Sequence, residues 1–194
     1  MSIRIDRERI RGLLTARVRE GNEKPSISGL LYHAPPLRGG NPTSQSTIEF
    51  LAGFRPLQDL EKKELSLLAS LMHERNFGDG ETIFDQGNPS GALYVIRSGC
   101  VELSRKIAGK DVTIATLAPN ELFGELALLL EEMPRRISAK SRGPSVLLAF
   151  SRPDLATLMV RSPFVSMKLF RALARVVALR FTMLMEEIEG SSQE

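Results

Sequence analysis

Residues 87–103 read "GNPSGALYVIRSGCVEL". Glycine and proline interrupt the chain at 87–91, and a Ser-Gly pair interrupts it again at 98–99. The segments between are short and rich in β-branched and aromatic residues. Runs of this kind, closed by turn residues, predict strands joined by tight turns. The same texture extends outward from 77 to 151. Turn signals recur at "GDG" (78–80), "AGK" (108–110), "PN" (119–120) and "RGP" (142–144). Between them stand "TIF", "ALYVIR", "CVELS", "VTIATL" and "SVLLAF". Strands repeating every 8–12 residues or so indicate an antiparallel sandwich or barrel. One segment departs from this rhythm: "GELALLL" (124–130) is leucine-rich and poor in β-branched residues, and suits one or two helical turns.

Helical periodicity flanks the β-rich region. Over 56–75, Leu57, Leu60, Leu65, Leu68 and Leu71 or Met72 form an apolar stripe opposite Glu61, Lys62 and Lys63, which predicts a helix there. After Phe150, Ser151 is a candidate N-cap with Pro153 in the first turn of a second helix. Ser162-Pro163 opens a third, longer helix reaching about Glu189. The fold class expected is therefore mostly β with flanking helices (α+β). It is an antiparallel β-roll or jelly roll with a short inserted helix and a long C-terminal helix.

On that last helix, Lys168, Arg171, Arg175, Thr182, Glu186 and Glu189 fall on one narrow stripe at 100° per residue. Leu169, Phe170, Leu173, Val176, Val177, Phe181, Met183, Leu184 and Ile188 cover the remaining arc. This arc is wider than one core contact requires. It predicts two partners, the chain's own β-domain and a second copy, hence a homodimer through the C-terminal helix. Arg180 falls near the middle of the apolar arc, where a cation is costly unless something pairs with it.

The N-terminal segment is different. Residues 1–20 form a basic arm, with arginines at 4, 7, 9, 11, 17 and 19, and Ile10, Leu13, Leu14 and Val18 at helical spacing. Residues 21–47 are rich in Pro, Gly, Ser, Thr and Asn and read as a linker. The remaining domain is expected to span 48–190, with its C-terminal helix over 163–189. Residues 1–47 are a candidate surface for a protein partner.

Composition excludes several functions. The chain has 194 residues, 42% hydrophobic and 25% charged, with a formal net charge of +3. That charge is too mild to argue for nucleic acid, so DNA is not an expected partner. Cys100 is the only cysteine, and His33 and His73 are the only histidines, so neither a thiolate nor a multi-histidine metal site is expected. The start, "MSIRIDRERIRGLL", is charged where a signal peptide needs an apolar centre, and no apolar run approaches the roughly 20 residues of a membrane span. A cytoplasmic protein without membrane contact is expected. No nucleophile–base pair or paired carboxylates stand at a recognisable spacing, so neither an enzyme nor a cofactor is expected.

The chemistry concentrates at 123–138, "FGELALLLEEMPRRIS". The first amides of a helix near 125–130, around Gly124 to Ala127, would face an anion. Gly124 lets backbone approach closely. Arg135 follows a proline, and a guanidinium can hold phosphate oxygens in a fork. A carboxylate beside a phosphate makes sense if Glu125 accepts hydrogen bonds from a neighbouring hydroxyl. The alternatives are that Glu125 caps its helix, that Arg135 and Arg136 pair with Glu131 or Glu132, and that Arg180 lies at a dimer seam.

The segment from about 54 to 185 resembles the cyclic-nucleotide-binding domain family. That family includes the catabolite activator protein, protein kinase A regulatory subunits and cyclic-nucleotide-gated channels. "FGELAL" (123–128) with "PRR" (134–136) looks like its phosphate-binding cassette, and "GNPSGALYVIRSGCVEL" like its glycine-punctuated hairpins. The resemblance implies a ligand, cAMP or a related cyclic nucleotide, contacted by the cassette from Phe123 onward. Gly124 and the amides of Leu126 and Ala127 would approach it, Glu125 would take the ribose hydroxyl and Arg135 the cyclic phosphate. Arg180 and Thr182 would be candidates to cap the base from the final helix. Two departures stand out. The loop before Pro134 is a residue longer than is common, and Arg136 replaces the small residue usual after the phosphate arginine. Arg136 either crowds the pocket or serves as a phosphate ligand, and it removes the side chain often used to tell adenine from guanine preference.

The function expected is a non-enzymatic cyclic-nucleotide-binding regulatory module, acting through ligand-dependent movement of its C-terminal helix. The alternative is a ligand-free protein of the same fold that serves as an interaction or assembly subunit. A transcription factor of the family would carry a helix-turn-helix domain after the long helix, where this sequence has only "GSSQE".

Overall fold

The computed structural model describes residues 45–130 and 133–191, with side chains to residue 186. The basic arm, most of the proposed linker, Glu131 and Glu132, and the side chains of Ile188 and Glu189 lie outside the described residues. Two short helices come first. Helix α1 (Gln45–Gly53) begins inside the stretch read as linker and buries Thr47 and Leu51. A 3-10 turn (Arg55–Leu57) leads to α2 (Lys62–Ala69), which starts at a reciprocal cap between Glu61 and Glu64.

The single helix expected over 56–75 is therefore broken. Pro56 sits in the 3-10 turn, and the chain leaves α2 at Ala69 to enter strand β1 (His73–Phe77). The apolar stripe itself holds: Leu57, Leu60, Leu65, Leu68, Leu71 and Met72 are all buried. Spacing located the core face, but pairing with β8 satisfies the backbone of 73–77 better than continued helix does. His73, within the stretch expected to be helical, lies on β1 with Nε2 3.2 Å from Asp154 Oδ1.

Seven further strands follow: β2 (Thr82–Phe84), β3 (Ala92–Ser98), β4 (Val101–Ile107), β5 (Lys110–Leu117), β6 (Leu122–Phe123), β7 (Ser138–Ser141) and β8 (Ser145–Ser151). They form two antiparallel four-stranded sheets, in the orders β1-β8-β3-β6 and β2-β7-β4-β5. This is the antiparallel jelly-roll expected, with flanking helices. The short helix α3 (Leu126–Leu129) is inserted after β6, and α4 (Arg152–Arg161) and the long α5 (Pro163–Ser191) follow β8.

The first sheet is buried on both faces, which explains why "SVLLAF" is continuously apolar rather than alternating. Leu147 joins Phe77, Phe84, Ile96, Val101 and Phe123 between the sheets. Leu148 and Phe150, with Leu93 and Val95 of β3, instead face Leu51, Phe54, Leu68, Leu158, Leu169 and Leu173 of the helices. The molecule is thus three layers deep: sheet, sheet, helices. At Gly99, between β3 and β4, φ is +87° and a Cβ would stand 2.3 Å from Ser145 Oγ, so only glycine turns this corner without rearrangement.

Helix α4 is closed at its N-terminus by Ser151 and Asp154, which cap reciprocally. The first part of α5 is fixed twice over. Val165, Leu169, Ala172 and Leu173 are buried, and its polar stripe is not simply solvated. Lys168 Nζ lies 2.7 Å from Glu64 Oε2, while Arg171 Nη2 and Arg175 Nη1 lie 2.8 and 2.7 Å from Asp59 Oδ2. No helix among the described residues is long and apolar enough to cross a membrane.

Candidate functional site

Strand β6 places the site. Its two residues pair with β3, Phe123 opposite Tyr94 and Leu122 opposite Val95, and β6 is the outer strand of its sheet. The chain then turns at Gly124, where φ is +77°. A Cβ there would meet Arg135 Nη1 at 2.7 Å and the Ala92 carbonyl oxygen at 3.0 Å. Glycine is thus required twice, for its dihedral and for the arginine packed over it.

Arg135 is buried, although it is a cation. Its backbone is tied to the turn after β2, since Arg135 N donates to the Asn88 carbonyl (2.8 Å) and Gly87 N donates to the Arg135 carbonyl (2.9 Å). Nη2 donates to the Ala92 carbonyl at 2.6 Å, and the guanidinium lies 4.0 Å from the centroid of the Phe84 ring. Phe84, Tyr94 and Phe123 form one aromatic cluster, with Tyr94 and Phe123 stacked at 5.3 Å. Phe84, and at a longer distance Tyr94, face the cation with their negative π-surface and partly replace the hydration lost on burial.

Glu125 is buried too. Its side chain makes no capping bond to α3, so capping is not its role here. Oε1 instead accepts from Arg180 Nη1 at 2.6 Å, and Arg180 Nη2 donates to the Leu122 carbonyl at 2.5 Å. The cation out of place on the apolar arc of α5 therefore has its partner: it crosses to the β-domain and holds Glu125. The Leu122 carbonyl is open to this bond because β6 is an edge strand.

These groups enclose one cleft of roughly 180 Å³, lined among others by Phe84, Phe123, Glu125, Arg135, Arg136 and Arg180. Gly124 and Leu126 also line it, whereas Ala127 and Thr182 do not. Ala127 is fully buried, and its amide donates to the Gly124 carbonyl at 3.0 Å, so it is not open to a ligand in this arrangement. Thr182 Oγ1 donates back to the Ala178 carbonyl of its own helix. Arg136 is exposed at the rim, while Arg135 is the inner cation. Glu131 and Glu132, the alternative partners for these arginines, lie outside the described residues.

Two contributors were not anticipated from the sequence. Phe84 carries the π-face under Arg135, and only its place on a strand pointing inward hints at that. Arg152 donates through Nε to the Ala127 carbonyl and through Nη2 to the Leu130 carbonyl, both at 2.6 Å. It closes the C-terminal end of α3 from the start of α4. An arginine in the first turn of a helix opposes the helix dipole, and this mismatch was the available signal.

The chain that carries this buried guanidinium and buried carboxylate beside a glycine turn is similar to known proteins. The family model for the cyclic nucleotide-binding domain matches residues 74–162. The cyclic AMP receptor protein of Thermus thermophilus is 40% identical over 117 residues, 60% of this chain and 54% of that protein. The crystal structure of the N-terminal domain of a transcriptional regulator from Streptomyces coelicolor is 32% identical. It superposes with a TM-score of 0.60 over 69% of this chain and 94% of that one. A cyclic nucleotide-binding domain from Methylobacillus flagellatus shares the fold at 22% identity, with a TM-score of 0.69 over 79% of this chain and 87% of that one. The chain belongs to the cyclic-nucleotide-binding domain family and has its fold. It spans about half the length of the curated relatives it matches.

Proposed function

We propose that this chain is a non-enzymatic sensor of a cyclic nucleotide, cAMP before others, and that α5 carries the signal. The observation supporting this reading is the pairing of Arg135 and Glu125 along one cleft, with Gly124 between strand and helix. Arg135 would take the cyclic phosphate and Glu125 the ribose hydroxyl. Gly124 and the Leu126 amide would lie against the ligand, with Phe123 behind them. Arg136, at the rim, would add charge rather than a fixed contact. The similarity to the Thermus receptor, whose name carries cyclic AMP, favours adenine. Thr182 has no part in this reading.

The ligand can shift α5 only by binding one of its arrangements more tightly than the other. A second copy would read that shift. Met167, Ala174, Ala178, Phe181 and Met185 are all exposed and recur at spacings of seven, four, three and four on the side of α5 away from the barrel. That is the pattern of a helix–helix seam. Isothermal titration of the full chain with cAMP and cGMP tests the reading, which is abandoned if neither ligand gives heat or a thermal shift at millimolar concentration.

The reading of a ligand-free assembly subunit has one observation on its side, the engagement of Glu125 by Arg180. The same titration decides between the two.

A further inference from the structure

The turn between β2 and β3 is wrapped around Arg135. Gly87 N donates to the Arg135 carbonyl, the Asn88 carbonyl accepts from Arg135 N, and the Ala92 carbonyl accepts from Nη2. Ser90 stands midway between Asn88 and Ala92. It is half-buried and lines the same cleft as Gly124, Leu126 and Arg135. Because the turn is bonded to the arginine on both sides of Ser90, this serine is held beside the cation.

A serine in a turn commonly bonds the backbone nearby. Other polar side chains of this turn are engaged in that way. Asn88 Oδ1 accepts from Asp85 N at 3.0 Å, and Gln86 Oε1 accepts from Lys106 N at 2.8 Å. The Ser90 hydroxyl makes no hydrogen bond among the described residues. Its φ is not positive, so the turn does not demand serine for its backbone. Of the described residues lining the cleft, Ser90 also carries the one neutral polar side chain, the others being Glu125, Arg135, Arg136 and Arg180. Glu125 and Arg180 hold each other, and Arg135 rests on Ala92 and Phe84.

We infer that Ser90 is a further ligand contact of this cleft, a hydroxyl that donates to the anionic group taken by Arg135. The inference rests on the reading of the cleft as a nucleotide site and adds a residue from outside 123–136. A cyclic phosphodiester presents two oxygens outside its ring, and shielding them from water requires donors for both. Arg135 and the Leu126 amide come from two elements, and Ser90 brings a third donor from a separate turn. A hydroxyl rotates freely to meet an acceptor, so it can serve whichever oxygen the arginine leaves.

The test titrates the full chain, Ser90→Ala and Ser90→Thr calorimetrically with cAMP and with its two phosphorothioate diastereomers, in which sulfur replaces one or the other exocyclic oxygen. Loss of the hydroxyl should weaken cAMP binding about three- to twentyfold. Threonine, which keeps the hydroxyl, should stay within about twofold of wild type. Sulfur is a poor acceptor. The alanine loss should therefore persist for the diastereomer that keeps oxygen toward Ser90 and vanish for the other. Without ligand, the alanine variant should melt with wild type, since Ser90 makes no hydrogen bond there. Undiminished cAMP affinity in the alanine variant overturns the contact. So does an equal loss for both diastereomers, which is what a distorted turn would produce. If wild type binds cAMP and the alanine variant binds it as well, the contact falls and the proposed function stands. If wild type binds none of the three ligands, both fall together.

Discussion

Gly124 and Arg135 are packed so closely that a methyl group on residue 124 would stand 2.7 Å from the arginine's Nη1. The Gly124 turn and the Arg135 cation are therefore one unit, though eleven positions separate them. Gly124→Ala tests this unit. The positive φ alone costs an L-residue about 1–2 kcal/mol, and the displaced guanidinium and the Ala92 carbonyl add to it. Urea denaturation should show a loss of about 1–3 kcal/mol. Nucleotide affinity should fall further than that loss of stability accounts for. A variant of wild-type stability that binds nucleotide normally would separate the two residues.

The two adjacent arginines should behave differently. Arg135 is buried over Phe84, whereas Arg136 is exposed. A shielded charge-assisted bond is worth about 1.5–3 kcal/mol, so Arg135→Ala should weaken nucleotide binding about 10- to 100-fold. Arg136→Ala should change it by less than about threefold, as a screened rim charge does. Calorimetric titration of each variant measures both. Equal effects would mean that Arg136 turns inward when the ligand binds.

The β-rich core was legible because turn residues and strand residues alternate openly from 77 to 151. Strands β2, β3 and β8 fall where "TIF", "ALYVIR" and "SVLLAF" stand, and β8 reads as continuous apolar sequence because both its faces are covered. The strands that escaped notice are β1, β6 and β7, "HERNF", "LF" and "SAKS". They are short or polar, and they exist because a neighbouring strand offers hydrogen bonds, which no local pattern records. Arg180 was visible as an anomaly, a cation on an apolar arc, but its partner Glu125 lies 55 positions away. Helical geometry could say that a partner was needed and could not say which. Arg152 differs: the helix dipole marks it as out of place, but its acceptors are backbone carbonyls, which carry no side-chain signature.

The clamp that Asp59 and Glu64 place on α5 gives a prediction in pH. Hydrogen bonding from Arg175 holds Asp59 below its ordinary value, against the opposing effect of burial and with the charges of Arg175 and Arg171 assisting. Burial pushes Glu64 upward, but hydrogen bonds from Lys168 and the Glu61 amide, with the charge of Lys168, leave it lowered overall. A carboxyl whose folded pKa lies below its unfolded value contributes stability above the unfolded value, about pH 4, and loses it as pH falls through the folded one. Asp59→Asn and Glu64→Gln should each melt below wild type at pH 7, and the gap should close as pH is lowered beneath about 4. Thermal melts from pH 7 to pH 3 measure it. A gap that stays constant across this range would show that the ion pairs do not set the difference.

The seam on α5 offers the last test. Ala174, Ala178, Phe181 and Met185 face away from the barrel and are exposed, so charge placed there disturbs no contact described within the chain. If two copies pair along this line, Phe181 is the large apolar side chain near its middle, and Ala178 is small enough to let the helices approach. Phe181→Glu sets two like charges against each other across a two-fold axis, in a setting that would otherwise bury aromatic surface. The wild-type chain should sediment as a dimer at micromolar concentration, and Phe181→Glu as a monomer with an unchanged circular dichroism spectrum. Phe181→Leu, which keeps an apolar contact, should remain dimeric. A wild-type chain that sediments as a monomer, or a glutamate variant that still pairs, would move the interface off this face of α5.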